Sequence, residues 1–535
     1  MPRNNRRAIR AVALVAGAGV ALALVPTGAA TAHSPHSSKQ GCEKRTNNTV
    51  AKLLECVDAD GARQHLKALQ HIADANGDNR AAGTPGYEAS VRYVTKVLKA
   101  AGWKVTIEEF PYTYVGPSTL QQLSPVDATY PTGPFTGSGP GNVTAAVTPV
   151  DLQLALGNTS SSGCSAEDFS GFPAGTIALV QRGTCPFADK AVNAQAAGAA
   201  GVIIFNQGDA DTAARQDLIV GTLGGPDVVG IPVVGASYAQ GVALAQAGST
   251  ARVFVPAPEQ RPQKNVIAEL RGKDRDNVVM AGAHLDSVQA GPGINDNGSG
   301  SASLLEIAQN MSKVKPQNTV RLAWWGAEES GLIGSEEYVA GLSQQEKDRI
   351  ALYLNFDMVA SPNHIFMVYD GDESGFPAPV PVPAGSVAIE DLFESYFTKV
   401  GKPYDDAEFS GRSDYQAFIL NDIPAGGLFT GAEVVKSAEQ QAIWGGVAGE
   451  SFDQCYHQAC DDMDNISMKA LDVNIDAIAL AVLAYSYSTE TVNGVRGAKI
   501  PGGLRLPAPA GPEGTTGTGG GGLAPDHDHE PTETG

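Results

Sequence analysis

Three stretches decide the fold: NVVMAGAHLDSVQAGPGINDNGSG over residues 277–300, TVRLAWWGAEES over residues 319–330 and IALYLNFDM over residues 350–358. Each begins with an apolar run rich in β-branched or aromatic residues, which predicts a buried strand. Helical patterns follow the first two runs, over residues 299–314 and 331–342. Strands that alternate with helices predict an α/β fold, with a mostly parallel central sheet flanked by helices.

Each predicted strand leads into histidine or acidic residues. The first runs into His284 and then Asp296, the second into Glu328 and Glu329, and the third into Asp357. The carboxyl ends of parallel strands border one crevice, so these side chains are expected to lie together. Imidazole and carboxylate are ligands that suit zinc. With a second histidine downstream, the donor set suits two zinc ions that share one carboxylate.

Each of these residues also has an ordinary structural explanation. A histidine at a strand end is commonly hydrogen-bonded within the fold, and Glu328 with Glu329 would suit the positive end of a helix dipole. Taken together these explanations are poor. They place several polar groups, each of which costs free energy to bury, at adjacent strand ends and give no reason for it. His364, which lies past the third strand, is interpreted as structural.

Seven ordered motifs make the catalytic half closely resemble the bacterial secreted dizinc aminopeptidases of the leucine-aminopeptidase type. The motifs occupy residues 282–287, 293–300, 324–329, 355–358, 411–414, 427–431 and 455–457. The resemblance extends over residues 62–102 and 265–488. It implies a zinc exopeptidase fold and a hydrolase that removes N-terminal residues, large apolar ones such as leucine above all, from peptides or proteins.

The resemblance assigns five metal ligands. Asp296 would bridge two zinc ions. His284 and Asp357 would complete one ion, and Glu329 and His457 would complete the other. The bridging position of Asp296 also implies a cis peptide bond to Asn297.

Catalytic roles follow from the same resemblance. Two zinc ions would lower the pKa of a shared water, and Glu328 would take its proton as the resulting hydroxide attacks the peptide carbonyl. Tyr456 would donate a hydrogen bond to the oxyanion. Asp286 would lie behind His284 and fix its tautomer. The expected substrate contacts are Met358, Arg412 and Phe429.

Two aspartates near the C-terminal end of the catalytic part suggest a calcium site. Asp472 and Asp476 are one helical turn apart and resemble acids that hold Ca²⁺ in some relatives. Helix capping by aspartate gives the same pattern. Both interpretations stay open at this stage.

A module with a different amino-acid composition interrupts the catalytic part. Residues 117–258 contain short β-rich runs broken by Gly, Pro, Ser and Asn, and the runs at 175–187 and 194–206 resemble a protease-associated domain. We therefore divide the chain into residues 33–116, the N-terminal part of the peptidase domain; 117–258, the inserted module; and 259–500, the catalytic domain. Residues 507–535 have the composition of a disordered Gly/Pro/acidic tail.

The N-terminus predicts export. Four arginines precede an apolar run over residues 11–25, and Ala30-Thr31-Ala32 has the pattern that a signal peptidase cuts, so residues 1–32 are expected to be a signal peptide. The run is shorter than the roughly 20 residues of a spanning helix. We expect a secreted monomer that is not anchored in a membrane.

Charge and cysteine content narrow the function further. The net charge of -21 disfavours nucleic acid, which needs a basic surface. Outside the cell, six cysteines favour disulfides over thiolate metal sites. Several pairings are possible, and we expect the local ones: Cys42 with Cys56, Cys164 with Cys185, and Cys455 with Cys460.

Two other functions compete with the aminopeptidase. A dizinc carboxypeptidase of the same superfamily would need a cation for the substrate carboxylate, and Arg412 is the candidate. A receptor-like binding protein would keep the fold and lose the metals. The presence of all five ligands and of Glu328 argues against that second alternative.

Overall fold

The computed structural model describes residues 39–225 and 227–516. The predicted signal peptide and residues 517–535 lie outside these ranges. Within the described ranges, no helix has the length and apolar character needed to cross a membrane.

The strands of the described chain form two sheets. In chain order they are β1 (Lys104–Tyr114), β2 (Thr119–Ser124), β3 (Ala128–Tyr130), β4 (Gly141–Pro149), β5 (Ile177–Gln181), β6 (Gly201–Phe205), β7 (Val233–Ala236), β8 (Thr250–Val255), β9 (Glu259–Leu270), β10 (Asp274–His284), β11 (Asn318–Trp325), β12 (Ile350–Phe356), β13 (Met367–Tyr369), β14 (Asp405–Ala407) and β15 (Ala425–Phe429).

Helices connect and cover these strands. They are α1 (Val50–Leu54), α2 (Ala59–Asp74), α3 (Pro85–Ala100), α4 (Phe187–Ala196), α5 (Ala213–Gln216), α6 (Tyr238–Leu244), α7 (Gly298–Met311), α8 (Ile333–Gly341), α9 (Gln344–Asp348), α10 (Ser386–Val400), α11 (Gln416–Ile419), α12 (Ala438–Trp444), α13 (Met468–Tyr487) and α14 (Glu490–Asn493). Short 3-10 turns occur at Lys39–Lys44, Ala166–Phe169 and Glu328–Ser330.

The larger sheet has the strand order β1-β9-β11-β10-β12-β15-β13-β14. Its central strands, β11-β10-β12-β15, are all parallel, as predicted. The pairs β1-β9, β9-β11 and β13-β15 are antiparallel, so the sheet is mixed towards its edges. Parallel strands buried on both faces read as continuous apolar runs, which explains why the sequence predicts the central strands well.

The larger sheet is packed on both faces. On one face α2, α3, α7 and α13 form the main core, in which Leu66, Leu305 and Ile478 are fully buried. The other face carries an aromatic cluster in which the rings of Tyr353 and Phe418 stack with centroids 3.8 Å apart. Helix α13 is apolar on nearly every side because it is enclosed by the core.

The smaller sheet belongs to the inserted module and has the order β3-β2-β8-β4-β5-β6-β7. Its strands β4 to β7 are parallel, and β2, β3 and β8 add antiparallel pairs. The chain leaves the larger sheet at the end of β1 and returns at the start of β9, where Tyr114 pairs with Glu259. The module is thus inserted between two neighbouring strands.

The three local disulfides predicted from the sequence are present: Cys42–Cys56, Cys164–Cys185 and Cys455–Cys460. The described part of the predicted disordered tail, residues 507–516, differs from its compositional prediction. Ala510 to Thr516 are hydrogen-bonded to the catalytic domain, with the backbone N–H groups of Gly514 and Thr515 donating to the carboxylate of Asp405 at 3.0 and 2.7 Å. The prediction assumed that only burial of apolar side chains could order this stretch. Hydrogen bonds from its backbone N–H groups to the Asp405 carboxylate hold it instead.

Candidate active site

The central strands bring the predicted site residues together. His284 is the last residue of β10, and Asp357 directly follows β12. Glu328 follows β11 through Ala327, whose φ of 60° lies in the left-handed region. That turn re-aims the chain, so that Glu328 and Glu329 enter the crevice instead of continuing the strand. Left-handed backbone at non-glycine residues is concentrated at functional sites.

Asp296 lies in the loop before α7. Its peptide bond to Asn297 is cis, as expected from the resemblance. Asn297 caps the helix by accepting a hydrogen bond from the N–H of Gly300 at 3.0 Å. Gly300 permits close packing on β12, since a Cβ there would lie 2.1 Å from the carbonyl oxygen of Phe356.

The two imidazoles approach opposite oxygens of one carboxylate. Nε2 of His284 lies 3.1 Å from Oδ1 of Asp296, and Nε2 of His457 lies 3.2 Å from Oδ2. His284 also lies 3.2 Å from Oδ1 of Asp357, and His457 lies 2.9 Å from Oε2 of Glu329. The five predicted ligands therefore form two groups joined through Asp296.

The charges of these groups fit divalent cations. Oε1 of Glu329 and Oδ1 of Asp357 are buried without a hydrogen-bond partner. Burial raises the pKa of Glu328 well above its usual range, and the neighbouring Asp357 adds to this rise. Four carboxylates face only two imidazoles here, so the donor chemistry and the excess negative charge both suit zinc.

The carboxylate of Asp286 does not make the contact with the His284 imidazole that its predicted role, fixing the tautomer, requires. Nδ1 of His284 lies 3.1 Å from the backbone oxygen of Asp286, whereas the nearest carboxylate oxygen is 3.8 Å away. The carboxylate instead accepts the N–H groups of Glu328 and Glu329 at 3.3 and 3.4 Å. It holds the strand-end turn in place, and the imidazole is oriented by a carbonyl.

Arg80 is a site residue that sequence reasoning missed. It is fully buried, and its guanidinium donates to the carbonyl oxygens of Leu285, Pro292 and Gly293, at 2.8 Å for Pro292. These carbonyls belong to the segment between His284 and Asp296. Arg80 therefore braces the segment that joins two predicted ligands.

Asp461 and Asp453 were also missed. Asp461 directly follows Cys460, and its carboxylate accepts the N–H of Asp296 at 3.0 Å and that of Asn295 at 2.8 Å. Asp453 accepts from the side chain of Asn295 at 2.7 Å and from the N–H of Cys455 at 2.8 Å. The disulfide-closed loop is thus tied to the Asp296 loop. The position of Asp461 beside Cys460 was the available signal.

Asp414, in the fifth motif, is a further buried carboxyl group. It is 1% exposed, and both of its oxygens lack a hydrogen-bond partner. Burial raises the pKa of this carboxyl group to about 8, and the neighbouring Asp357 and Asp286 add to the rise.

A cleft opens from the predicted ligands. Its walls include the three predicted substrate contacts, Met358, Arg412 and Phe429, and also Tyr456. Nη1 of Arg412 lies 2.7 Å from Oε1 of Glu433, and Nη2 donates to the hydroxyl of Tyr456 at 3.4 Å. The remaining apolar lining residues include Met367, Tyr369, Phe376, Val434 and Phe452.

Three residues that the sequence singled out, His364, Asp472 and Asp476, lie outside this arrangement. His364 contributes no ligand to the groups described above, and its Nδ1 lies 3.2 Å from the backbone oxygen of Ser361. Oδ1 of Asp472 accepts a weak hydrogen bond from the N–H of Ala59 at 3.4 Å. Burial raises the pKa of Asp476 to about 7, with Asp472 and Asp58 contributing.

Comparison with known proteins identifies the family. The profile of peptidase family M28 matches residues 265–482, and that of the PA domain matches residues 144–244. An aminopeptidase of Pseudomonas aeruginosa (strain UCBPP-PA14) is 49% identical over 455 residues, covering 83% of this chain and 84% of the relative. The chain belongs to peptidase family M28.

Other relatives of this M28 peptidase agree. The probable leucine aminopeptidase 2 of Aspergillus fumigatus is 42% identical over 438 residues, covering 80% of this chain and 84% of the relative. The structure of a zinc aminopeptidase from Bacillus subtilis superposes with a TM-score of 0.61 at 26% identity, covering 80% of this chain and 94% of that one. The M28 peptidase is a metallo-aminopeptidase with the fold of its family and an inserted PA domain.

Proposed function

We propose that this M28 peptidase is a secreted dizinc aminopeptidase that removes large apolar residues, leucine-like ones above all, from the N-termini of peptides and proteins. The observation that carries the proposal is the approach of two imidazoles to opposite oxygens of Asp296, at 3.1 and 3.2 Å. A carboxylate between two sets of ligands is what a bridged pair of ions requires. Secretion is supported by the N-terminal pattern and by the disulfides.

The proposed ligand sets follow from the two groups. His284, Asp357 and one oxygen of Asp296 would hold one zinc, and Glu329, His457 and the other oxygen would hold the second. When bound, zinc supplies Lewis acidity and lowers the pKa of water. Calcium at Asp472 and Asp476, and the monomeric state, stay predictions.

Glu328 is the proposed general base. It is 7% exposed, and its Oε2 lies 3.8 Å from Nε2 of His284, beyond hydrogen-bond distance. It also lines the cleft. In the proposed reaction its carboxylate takes a proton from the attacking water and returns one to the nitrogen of the leaving amine. Burial favours that transfer because it disfavours the charged carboxylate.

Tyr456 is the proposed oxyanion donor. Its hydroxyl oxygen accepts from Arg412, so its own proton is free to point into the cleft. A hydroxyl that accepts from a cation becomes a stronger donor, because successive hydrogen bonds polarise one another. Developing negative charge on the substrate carbonyl oxygen is stabilised by such a donor.

Substrate preference is assigned to the cleft. The apolar side chains of Met358, Phe429 and Phe452 favour a large apolar first residue, and the carboxylates beside them favour a free α-amino group. A carboxypeptidase would need an unopposed cation instead. Arg412 does not meet that need, since its guanidinium pairs with Glu433 at 2.7 Å.

Matched substrates test the proposal. Leucine p-nitroanilide, its N-acetyl derivative and a short peptide with a C-terminal leucine are compared on the full chain and on Glu328→Gln. We expect release only from the free amine, and release at least 100-fold slower in the variant. Hydrolysis of the acetylated substrate, or trimming of the peptide from its C-terminus, would refute an aminopeptidase. A preference for small or charged first residues would refute the apolar assignment.

A further inference from the structure

Asn465 is a buried asparagine that the proposed reaction leaves without a role. It is 7% exposed and lies in the loop between the Cys455–Cys460 disulfide and helix α13. Its Nδ2 donates to both oxygens of Asp453, at 2.9 and 3.0 Å, and to Oδ1 of Asp461 at 3.0 Å. One amide group therefore joins two carboxylates that lie on either side of the disulfide in the sequence.

These two carboxylates hold the loop of the proposed bridging ligand. Asp453 is 1% exposed and Asp461 is 2% exposed. Oδ2 of Asp453 accepts from the side chain of Asn295 at 2.7 Å, and Oδ2 of Asp461 accepts from the backbone N–H of Asp296 at 3.0 Å. Because buried carboxylates need hydrogen-bond donors, the donor that they share contributes to the position of both.

The same carboxylates hold the two ends of the disulfide-closed ring that carries His457. Oδ1 of Asp453 accepts from the N–H of Cys455 at 2.8 Å, and Asp461 directly follows Cys460. His457 has a φ of 57°, in the left-handed region, where non-glycine residues persist only if their surroundings enforce it. The ring and the loop of the bridging ligand therefore share one support.

An amide suits this position because it donates hydrogen bonds without carrying a charge. Burial raises the pKa of Asp453 and that of Asp461, and the hydrogen bonds from Asn465 oppose both rises. Two ionised carboxylates with no donor between them repel each other, most strongly where water is excluded. Loss of the amide would therefore push Asp453 and Asp461 apart, and the two loops that they hold would move with them.

We propose that Asn465 is a positioning residue that sets the distance between the carboxylate of Asp296 and the imidazole of His457. Oδ2 of Asp296 lies 3.2 Å from Nε2 of His457, and both groups belong to the proposed zinc set completed by Glu329. The other set takes its remaining two ligands from the carboxyl ends of β10 and β12. The zinc held by Glu329 and His457 should therefore depend on Asn465 more than the other zinc does. This inference rests on the proposed dizinc function.

A purely structural role for Asn465 would lower stability and leave zinc binding unchanged. Asn318 provides the matched control, because it is 1% exposed and its Nδ2 donates to the backbone oxygen of Tyr485 at 2.8 Å. It is the first residue of β11, at the opposite end of that strand from the active site. Asn318→Ala therefore removes a buried amide that contacts neither of the two ligand loops.

Zinc titration of the full chain tests the proposal. Metal is removed by chelation, and zinc binding to the wild type, Asn465→Ala, Asn465→Ser and Asn318→Ala is measured by calorimetry in competition with a chelator. The melting temperature of each zinc-loaded protein is recorded. Asn465→Ser keeps a hydroxyl that donates to one carboxylate, so its zinc affinity should fall between those of the wild type and Asn465→Ala. If Asn465→Ala does not fold, Asn465→Ser decides the outcome.

We expect Asn465→Ala to bind one of the two zinc equivalents about 10–100-fold less tightly, the usual effect of losing a group that orients metal ligands. On leucine p-nitroanilide, kcat of the Asn465 variants should fall while KM changes little. Asn318→Ala should lower the melting temperature and keep the zinc affinity and kcat of the wild type.

Two results would overturn the role of Asn465. They are wild-type zinc affinity in the folded Asn465 variants, and a loss of zinc affinity in Asn318→Ala as large as theirs. A wild type that binds fewer than two zinc ions would instead contradict the dinuclear site itself. The zinc stoichiometry of the wild type thus separates failure of the proposed function from failure of this inference.

Discussion

The parallel strands of the two sheets lead into residues of different chemical character. In the larger sheet, β10, β11 and β12 lead to His284, Glu328 and Asp357, which face one another in a buried crevice. In the PA domain, β5 ends at Gln181 and β6 is followed by Asn206. The same geometry therefore holds charged groups in one sheet and neutral amides in the other.

The amides of the PA domain are satisfied by backbone oxygens of the same domain. Nε2 of Gln181 donates to the backbone oxygen of Gln207 at 2.6 Å, and Nδ2 of Asn206 donates to that of Asp217 at 2.9 Å. The catalytic strand ends instead leave oxygens of Glu329 and Asp357 without partners. The comparison teaches that parallel strand ends supply a location, and that unsatisfied charge at that location marks the chemistry.

Metal removal should have the largest effect on activity, because the proposed metal ligands lie at the strand ends of the larger sheet. Chelation is expected to abolish leucine p-nitroanilide hydrolysis, because the proposed ligands then face one another without the ions that activate water. Zinc should restore the activity and be bound at close to two equivalents per chain, as measured by elemental analysis. Active protein with one equivalent or none would rule out the dinuclear site.

Substitution of Glu328 tests whether the buried carboxylates at the strand ends take part in catalysis. Glu328→Ala should keep its zinc and lose about 10²–10⁴-fold in kcat, the usual contribution of a general base. Glu329→Ala should lose metal as well, since its Oε2 lies 2.9 Å from His457. Steady-state rates with metal analysis distinguish the two variants. Near-normal turnover in Glu328→Ala would assign the base to another group.

The Cys455–Cys460 disulfide tests whether the loop around His457 must be held. Replacing both cysteines by serine should lower kcat/KM or zinc affinity by about tenfold or more, as for other residues that orient metal ligands. The melting temperature should change little, because so small a ring removes little chain entropy from the unfolded state. The opposite result, unchanged kinetics with a large fall in melting temperature, would make the disulfide purely structural.

Gln181 should give the smallest effect on activity. Gln181→Ala leaves the backbone N–H of Gln153 without its acceptor and is expected to destabilise the protein by about 1–3 kcal/mol. Turnover should stay unchanged, since the amide lies in the PA domain. Thermal unfolding and leucine p-nitroanilide kinetics measure both quantities. A loss of turnover without a loss of stability would show that the PA domain participates in the reaction.

Prediction from sequence succeeded where chemistry and periodicity coincide. The strand predicted at 350–356 is β12 itself, and His284 and Asp357 were found because they adjoin apolar runs. The other elements differ by a few residues at their ends, as for α7, predicted over residues 299–314 and observed over Gly298–Met311. Helix ends depend on capping contacts that periodicity does not report.

Residues recruited from distant parts of the chain could not be predicted. Arg80 contacts carbonyls more than 200 positions away, and its partners are backbone atoms that every sequence contains. Asp414 belongs to a recognised motif, but only burial shows that its oxygens lack partners.

The pairing of Tyr114 with Glu259 has a consequence for the evolution and engineering of the protein. Paired residues of antiparallel strands lie about 5 Å apart, a gap that a two-residue Asn-Gly turn spans. In topological terms the whole PA domain is therefore the loop of a β-hairpin formed by β1 and β9. Such a hairpin can gain or lose its loop without any rearrangement of the strands on either side. Replacing residues 115–258 by a tight turn should yield a minimal peptidase, in which the contribution of the PA domain is measured by its absence.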